Sequence, residues 1–312
     1  MKYAFSFVIP VYNADNILYR LLKEIQKVML EINLTFEIIF VDDRSTDNSW
    51  EILKRISEEW VNIKCIRLSR NFGQHPAIMA GLSQVVGEWI VVMDCDLQDQ
   101  PKEVVKLYSK ILEGYDIVLA KRRNRQDKYF KRVSSIIFSK IFGFFTDTEY
   151  DNEIANFGIY KFKVIQAILK ISDSIKYFPL FVNFVGFRST SIIVEHAKRI
   201  EGSSGYSLSK LLSLAFNTII SFSNKPLKIF VKFGLIISCF SFLSGVYNIY
   251  LALTHQIEVL GYSSIIISIW FLSGVIITTT GVTGIYVGKI FDQTKGRPVF
   301  IVDEILNNKN QI

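Results

Sequence analysis

Two carboxylates stand one residue apart in Asp94-Cys95-Asp96, and Gln98 follows two positions later. They come directly after the apolar run 89–93, where a strand would end. In an extended chain, residues i and i+2 point the same way, so Asp94, Asp96 and Gln98 are expected to face one cleft. Hard oxygen donors of this kind suit Mg²⁺ or Mn²⁺ shared with the phosphates of a substrate. A lone carboxylate pair also ends strands and caps helices, so its meaning rests on its neighbours. Two further apolar runs end in polar residues: Pro10-Val11-Tyr12-Asn13 and Val41-Asp42-Asp43. Asp42-Asp43 alone reads equally as a turn that caps a helix. A different chemistry is written in 121–132, where Lys121, Arg122, Arg123, Arg125, Lys128, Lys131 and Arg132 face one acid, Asp127. That window is either a solvated loop or an anion site for a lipid headgroup or a phosphate.

The elements that must position these groups follow from periodicity. Short apolar runs with β-branched and aromatic content at 4–11, 36–41, 63–68, 89–93 and 116–120 read as buried strands. Between them, helical spacing of apolar residues covers 16–32, the stretch after Ser45–Asp47, 76–86 and 101–112. Ser45 and Asp47 are expected to cap the second of these helices, and Pro101 sits where a first helical turn accepts proline. A βαβα order of this kind implies a mostly parallel, Rossmann-like sheet covered by helices on both faces. Ligands then bind at the carboxyl ends of the strands, which is where the three polar tails fall. Residues 152–196 return to short mixed strands and helices.

Composition adds a second region of different character. No Asp, Glu, Lys or Arg occurs at 233–257, or again at 259–288. About 20 apolar residues cross a bilayer core of about 30 Å, so a simple soluble protein is excluded. A mean hydropathy of +0.28 agrees, and disorder and a disulfide scaffold are excluded too. The two runs are expected to form a transmembrane hairpin over 226–290. Lys225, Lys228 and Lys232 precede it, Lys289, Lys295 and Arg297 follow it, and the loop at 254–262 holds no Lys or Arg. Positive flanks face the cytoplasm, so a catalytic domain over 1–225 and a tail over 291–312 are both expected there, within a multi-pass inner-membrane protein. Stretches 133–145 and 208–222 read as amphipathic helices at the membrane surface or as core helices. Cys65, Cys95 and Cys239 have no metal or redox spacing and read as reduced. The first residues lack the pattern of a signal peptide. Gly274, Gly281, Gly284 and Gly288 leave room for close helix contacts in a homo-oligomer. Nothing points to a nucleic-acid partner.

Taken together, Val8-Ile9-Pro10-Val11-Tyr12-Asn13, the run VDDRSTD at 41–47, SRNFGQ at 69–74 and DCDLQDQP at 94–101 resemble glycosyltransferase family 2, whose fold is GT-A. Gln98 after the DxD, and RIEGSSGY at 199–206 followed by SLSK at 207–210, are similar to its polyprenyl-phosphate branch. That branch includes dolichol-phosphate mannose synthase and bacterial undecaprenyl-phosphate glycosyltransferases. The resemblance implies transfer of one sugar, with inversion, from a nucleotide-sugar to a polyprenyl phosphate. It implies that Pro10, Tyr12, Asn13, Asp42, Asp43 and Asp94 line the donor pocket, and that Asp96 and Gln98 hold Mg²⁺ or Mn²⁺. Arg122, Arg123, Arg125, Lys131, Arg132, Ser204 and Lys210 would draw in the lipid phosphate, and Arg199 would clamp a phosphate.

Two positions depart from the branch. An acid usually follows Asn13, and here Ala14 stands there with Asp15 next. Where the branch shows Gly-Asp-Phe-Arg-Leu, this chain has Ala155-Asn156-Phe157-Gly158-Ile159. An asparagine is no general base, so Asn156 fits an acceptor that brings no proton to remove. Two other readings remain open: a saccharide or other hydroxyl acceptor served by a nearby acid such as Asp151 or Glu153, and a non-catalytic binding subunit. A nucleotidylyltransferase would want a glycine-rich loop after the first strand, and there is none.

Overall fold

A computed structural model describes residues 3–122, 143–145, 154–173, 177–195, 223–254 and 261–307. The chain forms two compact units. One gathers 1–141, 148–205 and 297–312; the other gathers 142–147 and 206–296.

The first unit is an eight-stranded sheet: β1 (Phe5–Val11), β2 (Phe36–Asp42), β3 (Ile63–Leu68), β4 (Trp89–Val92), β5 (Ile117–Arg122), β6 (Ile154–Lys161), β7 (Ser189–Val194) and β8 (Val302–Leu306). Their order across the sheet is β7-β5-β6-β4-β1-β2-β3-β8. β1 lies parallel to β2 and β4, β2 to β3, and β5 to β7. β6 and β8 run antiparallel to their neighbours. Every residue of β1 is buried, which is why its sequence is a continuous apolar run and not an alternating one.

Helices α1 (Leu18–Ile32), α2 (Ser49–Glu59) and α4 (Val104–Ile111) cover the face that carries Phe5, Phe7, Ile9 and Val11. α3 (Gln74–Leu82) lies on the opposite face, against β1 and β2, beside α5 (Phe162–Leu169) and α6 (Phe178–Phe184). α3 reaches the sheet through Gly81, where a Cβ would come within 2.5 Å of Val8 Cγ1. Any larger residue there would lift the helix off the strands that carry the site.

The expected strands and helices of the first 120 residues are present, with one difference of detail in α2 and a further strand near the C-terminus. α2 begins at Ser49, and Asp47 Oδ1 accepts the Ser49 N–H at 3.0 Å. Ser45 is used elsewhere, as described below. Residues 302–306, expected in a tail, form β8, because V-D-E-I-L offers β-branched residues to an open sheet edge.

The second unit contains α7 (Lys225–Leu253) and α8 (Tyr262–Thr294), of 29 and 33 residues. At 1.5 Å per residue both exceed the roughly 30 Å of a bilayer core. Within α8, Ser268–Thr294 meets the length and hydropathy of a membrane span, with none of its apolar window buried. Three of its threonine hydroxyls are satisfied by backbone carbonyls of the same helix. Thr278, Thr279 and Thr283 each donate to the carbonyl four residues back, at 2.8, 2.8 and 3.0 Å, which suits an apolar surrounding. Several side chains of α7 lie outside the described residues, as do both amphipathic stretches apart from 143–145.

Candidate active site

The carboxyl ends of β1, β2 and β4 lie side by side at the centre of the sheet. Pro10 helps to separate β1 from β4. Val8 O accepts the Met93 N–H at 3.2 Å on the β4 side, so Pro10, two residues on, faces that side too. The β1–β4 ladder ends at Val8↔Val92, and a residue without an N–H cannot extend it. The crevice between the strand ends opens there.

The β1 and β2 tails are fastened together. Ser45 Oγ accepts the Asn13 N–H at 3.0 Å, and Ser49 Oγ accepts that of Ala14 at 2.9 Å. Asp47 Oδ2 accepts that of Asp15 at 3.2 Å, and Asn13 Oδ1 accepts the Thr46 N–H at 2.9 Å. Ala14 is buried, so the acid usual in the family has no exposed place here. Tyr12 projects from this lacing with 49% of its surface exposed, a ring free to lie against a flat ligand.

Asp42 and Asp43 sit beneath the crevice. Both are buried, and burial raises both carboxyl pKa values. Asp42 Oδ1 accepts the Ser45 N–H at 3.1 Å, and its Oδ2 lies 3.5 Å from Arg67 Nε. The Arg67 guanidinium in turn rests over the Trp50 ring at 5.3 Å. Asp43 accepts the N–H groups of Phe72 and Gly73 at 2.7 and 2.8 Å, one on each oxygen. Asp43 therefore shapes the loop that starts α3. At Gly73 that loop takes φ 98, a value L side chains rarely adopt. Gln74, the next residue, donates from Nε2 to Asp94 Oδ1 at 2.6 Å. One chain of contacts thus runs from the β2 tail to the DxD. Sequence reasoning gave Gln74 no role, although it lies inside the SRNFGQ motif; its place one residue past the glycine was the available signal.

The DxD itself differs from the extended strand end expected. The chain turns at Cys95–Asp96, Leu97 is left-handed at φ 58, and Asp96 Oδ1 accepts the Gln98 N–H at 3.0 Å. Strand alternation does not operate past Asp94. A turn gathers Asp94, Asp96 and Gln98 instead, and all three keep partial exposure. Burial, with Asp94 and Asp96 alongside, pushes the Cys95 thiol up to about 12, so it stays neutral at pH 7.

Among the described residues no group of three or more His, Cys, Asp or Glu side chains forms a metal cage. The donor set does suit a metal shared with a substrate: one or two carboxylates with phosphate oxygens completing the shell is the usual arrangement for Mg²⁺.

Asn156 lies on β6. The β4–β6 ladder ends at Val92↔Gly158, and the β5–β6 ladder shifts register between Leu119↔Gly158 and Lys121↔Ile154, so β6 is irregular where Asn156 stands. Gly158 leaves no room for the arginine usual in the family. A Cβ there would meet Tyr160 Oη at 2.9 Å, Leu119 Cδ2 at 3.1 Å and Val118 O at 3.1 Å. Of the expected lipid-phosphate residues, Arg122 ends β5, while Arg123, Arg125, Lys131, Arg132, Ser204 and Lys210 lie outside the described residues. So do Arg199, Asp151 and Glu153.

Residues 6–169 match the family described as Glycosyl transferase family 2. The chain belongs to that family. As a family 2 glycosyltransferase it also has full-length relatives. It is 32% identical over 313 residues to the undecaprenyl-phosphate 4-deoxy-4-formamido-L-arabinose transferase of Proteus mirabilis, covering 98% of this chain and 96% of that one. It is 33% identical over 308 residues to the uncharacterised glycosyltransferase YkcC of Bacillus subtilis, covering 98% and 95%. The glucosyl-3-phosphoglycerate synthase of Mycobacterium tuberculosis, solved with Mn²⁺ and UDP-glucose, superposes with a TM-score of 0.51 over 70% of this chain and 77% of that one. At 14% identity that likeness is one of fold, and the fold is GT-A.

Proposed function

We propose that this glycosyltransferase moves one sugar from a nucleotide-sugar to a polyprenyl phosphate of the undecaprenyl type, at the cytoplasmic leaflet, with inversion. The observation that carries the reading is the convergence of the polar ends of β1, β2 and β4, which bring an exposed Tyr12 and a partly exposed Asp94–Gln98 turn to one edge of the sheet. Full-length similarity to a transferase that uses undecaprenyl phosphate supports the acceptor. A structural neighbour bound to Mn²⁺ and UDP-glucose supports the donor class and a divalent metal.

In this reading Tyr12 offers its ring to the nucleobase, and Pro10, Asn13, Asp42 and Asp43 shape the pocket. For Asp42 and Asp43 that role is exercised from below, through the loops they hold. Gln74 orients Asp94 toward the nucleotide-sugar. Asp96 and Gln98 would hold Mg²⁺ or Mn²⁺, which when bound neutralises charge on the departing nucleoside diphosphate. A phosphate oxygen of the lipid forms the new bond to the anomeric carbon, and the electron pair of the old bond leaves with the diphosphate. A phosphate monoester has its second pKa near 6 and is largely dianionic at pH 7, so no proton has to be removed. General-base catalysis contributes about 10² to 10⁴-fold only where a proton moves. Asn156 is consistent with that, because it can position a group but cannot accept its proton. The basic residues Arg122, Arg123, Arg125, Lys131, Arg132 and Lys210, with Ser204 and Arg199, are assigned to the incoming phosphate.

The test supplies a panel of nucleotide-sugars to membranes containing the protein and undecaprenyl phosphate, and weighs the lipid product by mass spectrometry. A single added sugar on the lipid phosphate is expected. Replacing Asn156 by Asp should change the rate by less than about tenfold, short of a general-base effect. A gain of a thousandfold, or a product only with a saccharide acceptor, would favour the hydroxyl-acceptor reading instead.

A further inference from the structure

The chain beyond α8 returns to the sheet and is fastened there at both ends. β8 pairs with β3 through Cys65↔Leu306, Ile66↔Ile305, Arg67↔Glu304 and Leu68↔Val302. Before it, Ile301 O accepts the Ser69 N–H at 2.9 Å. After it, the Asn307 side-chain amide donates to the carbonyls of Ser57, Trp60 and Ile63, between α2 and β3. β8 is therefore held along β3, and its register shifts by one residue at Asp303, between Arg67↔Glu304 and Leu68↔Val302. At that irregularity Asp303 meets Arg44 of the β2 tail, with Oδ2 accepting from Nη1 at 2.7 Å.

Arg44 is the charged side chain that the β2 tail exposes. Asp42 and Asp43 are buried and engaged, and Thr46 is tied to Asn13. Arg44 has φ 59, in the left-handed region that a non-glycine residue holds only where its surroundings over-determine it. The surroundings do so here. Asp43 N–H is held by Val11 O at 2.9 Å, Ser45 N–H by Asp42 Oδ1 at 3.1 Å, and the side chain between them by Asp303. An arginine fork has five N–H donors, and Asp303 engages one of them.

We propose that Asp303 is a positioning residue for the donor. It holds the Arg44 guanidinium beside the β2 tail, where the remaining donors meet the nucleotide. β8, the segment after the apolar helix, then belongs to the donor site. The proposal rests on the crevice being a nucleotide-sugar site.

The experiment measures binding of UDP, GDP, CDP and ADP, with Mn²⁺, to the full chain in detergent by calorimetry, together with melting temperature. For whichever nucleotide the wild type binds, Asp303→Asn should weaken affinity roughly three- to tenfold, the scale of one hydrogen bond. Asp303→Glu should stay within about twofold, and Arg44→Ala should lose at least as much as Asp303→Asn. The pair is half exposed, at 43% and 49%, so melting should move by less than about 3 °C. Equal affinity in wild type and Asp303→Asn would overturn the proposal and leave the nucleotide site standing. So would a loss that Asp303→Glu shares in full alongside a large fall in melting temperature, since that marks strand docking alone. A wild type that binds none of the four overturns this proposal and the donor-site reading together.

Discussion

Asp96 is the residue at which chemistry separates most cleanly from folding. Its carboxylate is partly exposed, and its Oδ1 accepts the Gln98 N–H at 3.0 Å. An asparagine keeps that oxygen and loses the charge. Asp96→Asn should therefore melt like the wild type and transfer sugar at least about a hundredfold more slowly, because it removes a charged ligand from the metal that would neutralise the departing diphosphate. EDTA should inhibit the wild type, and Mg²⁺ or Mn²⁺ should restore it; a mutant fully active in EDTA would remove Asp96 from the metal site. His75, beside Gln74, gives a prediction in pH. Burial pushes its imidazole down to about 4, and its ring meets Tyr177 edge-on at 4.5 Å. Unfolded histidine titrates near 6.5. Between about 6.5 and 4 the unfolded chain thus binds more protons than the fold does. The stability tied to a neutral His75 is complete above about 6.5 and is lost as pH falls through about 4. His75→Phe keeps an apolar ring against Tyr177 and removes the titration. Melting curves at pH 7, 5.5 and 4.5 should show a shallower acid decline for the variant, and identical slopes would assign the decline to other groups.

At the scale of elements, β6 shows how a strand excludes a side chain. Gly158 and Tyr160 lie two apart on one face, and the Tyr160 hydroxyl stands 2.9 Å from where a Gly158 Cβ would be. Tyr160 is itself fixed, buried and edge-on to Phe178 at 5.4 Å. Gly158→Ala should cost about 1 to 3 kcal/mol, the scale of overpacking in a dense core. Adding Tyr160→Phe should recover some of that loss by removing the crowding oxygen, which a double-mutant cycle in denaturant melts would reveal as coupling. The same contrast of local and non-local constraint explains what was readable from sequence. β1 to β5 declared themselves because strands buried on both faces are continuous apolar runs, and their polar tails marked the crevice. The turn at Cys95–Asp96 did not, because Leu97 adopts φ 58 with no glycine to announce it. Asp42 and Asp43 could be placed at the crevice, but their partners, Arg67, Phe72 and Gly73, come from other loops. β8 was hidden for a related reason. Five residues with two acids carry little strand signal until the open edge of β3, far back in the chain, is there to receive them.

At the scale of the whole molecule, the sheet constrains the path of the chain across a membrane. β1 to β7 come from residues before 195, β8 comes from 302–306, and all share one sheet. A chain that leaves a folded unit, enters a bilayer and comes back to that same unit must cross an even number of times. Ser268–Thr294 has the length and hydropathy for one crossing. If it does cross, a second crossing before it is expected. α7, 29 residues long and without Asp, Glu, Lys or Arg from 233 to its end at Leu253, is the segment suited to make it. Lysines then choose the side. Lys225, Lys228 and Lys232 precede the pair, Lys289, Lys295 and Arg297 close it, and the intervening loop has neither Lys nor Arg. The positive-inside rule then predicts both flanks in the cytoplasm. A single cysteine introduced at a position within 255–260, in a background with Cys65, Cys95 and Cys239 replaced, should react with a membrane-impermeant maleimide in intact cells. A single cysteine at 308–312 should react only after the membrane is opened. Labelling of 308–312 from outside, with 255–260 protected and a cysteine at the N-terminus labelled as well, would reverse the orientation and keep the even count. Labelling of 308–312 from outside, with 255–260 and a cysteine at the N-terminus protected, would mean a single crossing. That result is incompatible with β8 sharing a sheet with β1.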